Sequence, residues 1–486
     1  MSSLKFPAKP ESKETVYKAL KELKKDDLPW QSGKVMAYVY HTIPEAHELA
    51  EEAYKLYLTE NGLDPTQFQS LLQLEKEVIG MVADLLNGDS ETVGNCTSGG
   101  TESVMLIVKT ARDRARHLFP HITEPEIIIP ETAHPCFQKA GHYLNVKVKM
   151  TPVDKSTFKA DVDAMEAAIT DQTILIAGSA PSYAHGVIDD IEAIAALAAA
   201  NNLLCHVDAC VGGMFLPFAK MLDYPIPAFD FSVPGVTSIS CDLHKFGYVP
   251  KGCSSVIYRN KELRQYQLFS WSDWPGYSII NPTVLSSKTG GPMAAAWSLF
   301  KFLGIEGYKE AVKACMDGRD IVIEALKDIP ELDLLGSPDI SLLCFASNSA
   351  AVNVFELVER MKEKGWFIQA QLKSAVSEAS IHLSITHFNV PHMAPMMEDL
   401  KTAVAELKTE AKAPHPMLAM LTPEMLQGLL ANFTPATLDS LEQLLGTDDK
   451  GIPDNFLIIN NILNTLEPAQ RDKLLVAFVN KMFSGA

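Results

Sequence analysis

The chain has 486 residues, 47% of them hydrophobic, and carries 42 Lys and Arg against 60 Asp and Glu for a formal charge of −18. That length predicts two or three domains with ample core, and the acidic balance, with no block of Lys and Arg, excludes nucleic acid and an anionic membrane surface as partners. Residues 1–30 are charged and broken by prolines, so neither a signal peptide nor a membrane span is expected and the chain is assigned to the cytoplasm.

Residues 45–58 and 71–86 carry apolar positions at helical spacing, within an N-terminal helical segment set at 1–90. From residue 101 helical stretches alternate with the short apolar runs Ile127–Ile129, Val146–Met150, Thr173–Ala177, Leu203–Val207 and Ser254–Tyr258. These runs are rich in β-branched side chains, as strands buried on both faces should be, and they predict an α/β domain over 91–290 with a mostly parallel sheet covered by helices. After Gly290-Gly291 helices are expected at 292–303 and 306–327, strands near 340–345 and 381–385, and a closing helix at 391–409. This is a smaller C-terminal α/β domain, 291–412. Ala413-Pro414-His415-Pro416 then opens a helical extension, 413–486, with amphipathic stretches at 418–430, 438–445, 455–466 and 474–482. No chemical constellation occurs in it, which favours a packing or dimer-bracing role. Eight cysteines lie scattered without metal-ligand spacing, several inside apparent strands, such as Cys205, Cys253 and Cys344. They read as buried reduced thiols, since a disulfide reading requires an oxidising compartment, and no metal site is expected.

Three short segments carry chemistry. Thr97-Ser98-Gly99-Gly100-Thr101-Glu102-Ser103 precedes a helical run, and small residues there expose backbone N–H groups at a helix N-terminus, an anion site. His206-Val207-Asp208-Ala209 ends an apolar strand and sets a carboxylate at the strand edge where open α/β sheets bind ligands, although a lone Asp there is also a common helix cap. Ser240-Cys241-Asp242-Leu243-His244-Lys245-Phe246-Gly247-Tyr248 is a strand-to-loop passage in which Lys245 stands among apolar neighbours. Pyridoxal phosphate accounts for all three. It needs an anion cup for its phosphate, a carboxylate for its ring nitrogen and a lysine for its Schiff base. Roughly 110 residues from cup to Asp208 and roughly 40 from Asp208 to Lys245 suit a doubly wound sheet that brings successive strand ends to one cleft. Ala133-His134, after the run at 127–129, offers an imidazole to stack on the cofactor ring.

With Trp30-Gln31, Val39-Tyr40, the Pro181 to Asp189 segment, the Gly235 to Gly252 segment and Gly290-Gly291, these residues resemble the sphingosine-1-phosphate lyases of the group II pyridoxal-phosphate decarboxylases over residues 15–410. The resemblance implies the aminotransferase-like fold (fold type I), with Asp208 at the ring nitrogen, His134 on the ring face, Lys245 as the Schiff-base lysine and His244 beside the phosphate. It also implies a homodimer with the cleft at its interface, in which Gly290 and Gly291 lend N–H groups to the partner's cofactor phosphate. Tyr40 and Lys251 match the family's substrate-phosphate pocket. Asp64, in Asn61-Gly62-Leu63-Asp64-Pro65, stands where the family has histidine, and a carboxylate beside a phosphate is repulsive by a few kcal/mol in a partly dry pocket, on the order of the Coulomb energy there. Leu243 and Lys288 replace a hydroxyl residue and an arginine.

Two activities follow from this set. The first is a carbon–carbon lyase acting on a phosphorylated sphingoid base, with Lys251 or the substrate's own phosphate as candidate base. The second is an L-amino-acid decarboxylase, because the cofactor cleaves whichever bond is held perpendicular to its ring. A non-enzymatic scaffold conflicts with the joint presence of Lys245, Asp208 and His134.

Overall fold

The computed structural model describes residues 6–64, 66–410 and 456–483. The helices expected at 418–430 and 438–445 lie outside the described residues.

The main sheet has seven strands: β1 (Val93–Thr97), β2 (Glu126–Pro130), β3 (Lys147–Thr151), β4 (Thr173–Ser179), β5 (Leu204–Asp208), β6 (Ser238–Cys241) and β7 (Ser254–Tyr258). Their order is β1-β7-β6-β5-β4-β2-β3. The run from β3 to β6 is parallel, and β7 pairs antiparallel with both β6 and β1. Residues 242–253 join β6 to β7 through turns instead of a crossover helix, so β7 returns in the opposite sense. β2, β4, β5, β6 and β7 are buried throughout.

Burial on both faces fails for β3, where only Thr151 is buried. β3 is the sheet's last strand, and its edge is occupied by charge: Lys147 and Lys149 reach Glu126 at 2.8 and 2.5 Å. β1 has no counterpart among the expected strands. Its Gly94 is required by packing, because a Cβ there would lie 2.4 Å from Val256 O, and that glycine hides the strand pattern.

Strand alternation divides the core. Ile127, Ile129, Leu175 and Ala177 pack under α4 (Gly100–Leu118) and α5 (Cys136–Leu144). Ile128, Ile176, Val207 and Ile239 face α3 (Gln69–Leu85), α7 (Ile191–Ala200), α8 (Leu216–Met221) and α10 (Gly291–Leu326). α10 breaks at Gly304 (φ 55°, ψ −171°), the division expected between 303 and 306.

The second sheet is antiparallel, in the order β10-β11-β13-β12, with β10 (Leu332–Leu334), β11 (Leu342–Ser347), β12 (Gln369–Gln371) and β13 (Ser380–Ser384). α11 (Val354–Glu363) and α12 (Met393–Thr409) close its core. The three-residue strands β10 and β12 are too short to show a period.

The stretch expected to be helical to residue 90 holds α1 (Lys13–Leu23), α2 (Pro44–Leu56) and α3, but not continuously. Between α1 and α2 the chain runs as an arm that joins the second sheet: Val35 pairs with Phe367, and Met36 N–H donates to Phe367 O at 2.9 Å. At the C-terminal end, α13 (Phe456–Thr465) and α14 (Pro468–Met482) dock on the second sheet's layer: Asn353 Nδ2 donates to Asn461 Oδ1 (3.0 Å) and Arg471 Nη1 to Lys373 O (2.7 Å). α14 starts at 468 and not at 474, because Pro468 and the Glu467–Gln470 capping box set its first turn ahead of the apolar run. All eight cysteines are buried and unpaired. Among the described residues no helix is long and apolar enough to cross a membrane, and no metal-ligand cluster occurs.

Candidate active site

Parallel strands β4, β5 and β6 end at one edge, where register sets Asp208 beside Ser179 and Ser240. A cavity of about 340 Å³ opens there. Ser98, Gly99, Gly100 and Thr101 line it, as do His134, Asp208, His244 and Lys245. Eight of the expected site residues are thus brought together from four separate stretches of chain.

Leu243 and Phe246 are fully buried and pin the loop that carries Lys245. Lys245 Nζ lies 3.0 Å from Asp242 Oδ2. Burial works against the ammonium, but Asp242, reinforced by Cys210, Tyr40 and Asp208, outweighs it and holds Lys245 above the usual lysine range. Burial likewise opposes the Asp242 carboxylate, yet Lys245 and His244 keep it below the usual range and therefore ionised. Asp242 Oδ1 is buried without a hydrogen-bond partner among the described residues. Sequence reasoning passed over Asp242, although an acid three positions before a lysine on a tight turn is a visible signal.

Asp208 Oδ1 accepts from Cys210 N–H (3.1 Å) and Ser240 Oγ (3.4 Å), while no hydrogen bond among the described residues reaches Oδ2. Behind it, His206 bridges the Ser238 and Ser240 hydroxyls at 3.0 and 3.2 Å, and burial brings that imidazole down to about 4, so it is neutral. His134 Nδ1 accepts from Cys136 N–H at 3.2 Å, which leaves its proton on Nε2, and burial lowers its pKa. His244 Nδ1 accepts from Cys253 N–H at 3.3 Å, and burial takes this ring to about 4.

The anion turn is built at the start of α4. Glu102 Oε2 accepts from Ser98 N–H and its Oε1 from Val284 N–H, both at 2.6 Å, tying the turn to the loop before α10. A Cβ on Gly100 would lie 2.7 Å from Cys210 Sγ and 2.9 Å from Asp242 Oδ1, so only glycine leaves this cradle open. The 19-residue α4 directs its first N–H groups and its positive dipole end at the same wall. An anion cradle, an ammonium, a carboxylate with one uncommitted oxygen and a neutral imidazole on one cavity fit pyridoxal phosphate.

Tyr40 and Lys251 stand beside this cavity. Lys251 Nζ lies 4.9 Å from the centre of the Tyr40 ring and donates to His244 O at 2.9 Å, and Tyr40 packs edge-on to Phe246 at 5.0 Å. The Lys251 side chain reaches solvent, but the protein packed around it and the Lys245 charge bring it down to about 8. Tyr183, also missed by the sequence reading although it sits in the quoted Pro181 to Asp189 stretch, lines the cavity and donates to Gln369 Oε1 at 2.8 Å.

Asp64, Gly290 and Gly291 do not line this chain's cavity. Asp64 is exposed, and its Oδ1 accepts from Thr66 N–H (2.8 Å) and Thr66 Oγ1 (2.6 Å), which hold the carboxyl below its usual range. The segment before it is laced to the glycine loop: Gly62 N–H donates to Lys288 O at 2.7 Å, and Gly290 N–H to Glu60 O at 3.3 Å. Lys288 is turned inward, 3.7 Å from Glu75.

Fold and site define a pyridoxal-phosphate-dependent enzyme, and the family model described as the pyridoxal-dependent decarboxylase conserved domain matches residues 1–348. A second model, for a C-terminal HTH domain of pyridoxal-dependent enzymes, matches residues 398–481. The sphingosine-1-phosphate lyase of Oryza sativa subsp. japonica is 41% identical over 398 residues, covering 80% of this chain and 72% of that protein. The solved sphingosine-1-phosphate lyase of Burkholderia pseudomallei superposes with a TM-score of 0.79 at 33% identity, covering 84% of this chain and 94% of that one. The chain belongs to the sphingosine-1-phosphate lyase family. The L-aspartate decarboxylase of Thermococcus kodakarensis is 34% identical over 403 residues, 83% of this chain and 100% of that protein.

Proposed function

We propose that the protein is a pyridoxal-phosphate-dependent aldehyde-lyase that cleaves a phosphorylated sphingoid base to a long-chain aldehyde and phosphoethanolamine. The observation that carries this reading is the pairing of Lys251 with Tyr40 next to the loop that bears His244 and Lys245, a cation and a phenol that one phosphate could use together. When bound, the cofactor supplies the sink for the electron pair released as the Cα–Cβ bond breaks. Lys245 would hold the cofactor, Asp208 Oδ2 would face its protonated ring nitrogen, the Ser98–Thr101 turn its phosphate, and His134 its ring face. Tyr40 and Lys251 would orient the substrate so that the Cα–Cβ bond is the one aligned for cleavage; the β-hydroxyl loses its proton and Cα gains one.

The pH dependence assigns the role of Lys251. As a phosphate ligand it acts as the ammonium, so kcat/KM for the phosphorylated substrate should be flat below about 8 and fall about tenfold per pH unit above it. Lys251→Gln should lower kcat/KM and remove that limb. A rate that instead rises through pH 8 would make Lys251 the base.

A homodimer also belongs to this reading. Phe269 and Trp271 are exposed on one face of the β8 (Phe269–Trp271) and β9 (Ile279–Asn281) hairpin, Ile280 on the other, and Trp274 and Tyr277 in its loop, an apolar projection suited to a second copy. In that dimer Gly290, Gly291 and the Asp64 turn laced to them would face the partner's site. Asp64→His should then lower KM for the phosphorylated base about 3- to 10-fold with kcat unchanged, since an exposed charge acts weakly on ground and transition state alike. If neither a phosphorylated base nor an amino acid responds, Asp64 is only the cap of its own turn. Buried, unpaired thiols support a reducing, cytoplasmic setting.

The amino-acid decarboxylase reading rests on the likeness to the archaeal enzyme over that enzyme's whole length. Product analysis separates the two.

A further inference from the structure

One buried side chain helps to hold the arm that carries Tyr40. Asn389, 3% exposed, lies between β13 and α12. Its Nδ2 donates to Gly33 O (2.9 Å) and Val35 O (3.1 Å), and its Oδ1 accepts from Thr386 N–H (2.9 Å) and Thr386 Oγ1 (2.7 Å). All four hydrogen-bonding positions of the amide are used. The same stretch of arm is tied to the second sheet by Phe367 N–H to Lys34 O (3.0 Å) and Ser384 N–H to Met36 O (2.8 Å). Val35, Met36 and Ala37 are buried in consequence.

Immediately beyond this anchored stretch the backbone does something uncommon. Tyr38 has φ 65°, and Val39 N–H donates to Ala37 O at 2.8 Å, a three-residue turn about a non-glycine residue in the left-handed region. Such turns are strained and persist only where both flanks over-determine them. The Tyr38 side chain is 56% exposed, so its own burial does not hold the turn. The upstream flank is the Asn389 clasp. The downstream flank is Tyr40, edge-on to Phe246 and under Lys251.

We propose that Asn389 is a positioning residue of the substrate pocket: by holding Gly33 and Val35 it maintains the strained turn at Tyr38 and so sets Tyr40 against Lys251. The inference rests on the reading of Tyr40 and Lys251 as phosphate ligands. It also makes the second sheet part of phosphate recognition, because Asn389 and the arm belong to one hydrogen-bonded unit.

The test is calorimetric titration of the holoenzyme with phosphoethanolamine and with ethanolamine, whose affinity ratio reads phosphate recognition without turnover. Asn389→Ala and Tyr40→Phe should each reduce the wild-type ratio about 10-fold, and the double variant should fall no more than about 2-fold below Tyr40→Phe alone, as expected when one residue acts through the other. Tyr38 is solvent-exposed, so its variants test the turn without endangering the fold. Tyr38→Val, which resists positive φ, should mimic Asn389→Ala, and Tyr38→Gly should stay within about 2-fold of wild type. Additive losses in the double variant, or a Tyr38→Val protein with the wild-type ratio, would overturn the role of Asn389 while leaving the phosphate pocket standing. A wild-type protein that does not prefer phosphoethanolamine would overturn the pocket and the role of Asn389 with it.

Discussion

Lys245→Ala is expected to reduce turnover by roughly 10⁴-fold or more, the scale seen when a covalent group that works as part of a unit is removed. No other lysine among the described residues lines the cavity. Lys251 is turned toward Tyr40 and His244 O, and at about 8 it is the more readily deprotonated amine of the two, which makes the control sharp. Borohydride reduction of the wild-type holoenzyme should fix the cofactor to Lys245, and recovery of the label on Lys251 would overturn the assignment. The substitution also strips Asp242 of its cation at 3.0 Å and leaves it only the His244 ring at 3.6 Å, neutral near pH 7. Leaving a buried carboxylate unpaired costs roughly 3 kcal/mol, somewhat less here because solvent reaches Lys245. The variant should therefore melt at a lower temperature, and Lys245→Ala with Asp242→Asn should recover part of the loss. An unchanged melting temperature in the single variant would mean that Asp242 is relieved by some other group.

Asp208→Asn should retain the cofactor and the fold yet lower kcat by about 10²- to 10³-fold, equivalent to roughly 3–4 kcal/mol of transition-state stabilisation. The amide keeps the shape of the carboxylate and can preserve the contact with Cys210 N–H, but it carries no charge to hold a ring nitrogen protonated. Since Ser240, itself held by His206, supports the same oxygen from behind, geometry should change little. Near-normal kcat with an unaltered cofactor spectrum would reduce Asp208 to the cap of the turn at Cys210.

The parts of this site that were legible in the sequence are those whose residue types are chemically specific. Lys245 among apolar neighbours, Asp208 at a strand end, a Ser-Gly-Gly-Thr turn before a helix and His134 after a run of isoleucines all converge on the cavity. The fully buried strands were legible for a similar reason, since runs such as Ile127–Ile129 have no other stable place. What was not legible depends on tertiary neighbours. β1 is a strand because Gly94 lets β7 approach, and β7 runs antiparallel because its connection is too compact for a helix. Asp242 and Glu102 look like ordinary surface acids until Lys245 and the loop at Val284 are folded onto them. Asn389 is a single polar residue whose two acceptors, Gly33 O and Val35 O, lie more than three hundred positions away in the chain. Asp64 was legible only as a departure from the family pattern; that its carboxylate turns back on Thr66 shows only in the folded chain.

Product analysis decides whether the Lys245 cavity with Tyr40 and Lys251 cleaves a carbon–carbon bond. The purified holoenzyme would be incubated separately with a phosphorylated sphingoid base and with a panel of L-amino acids, and the products quantified by mass spectrometry and by carbon dioxide capture. Long-chain aldehyde and phosphoethanolamine are expected in equal amounts from the first and no carbon dioxide from the second. Carbon dioxide released from an amino acid, with no aldehyde from the phosphorylated base, would contradict the carbon–carbon lyase reading.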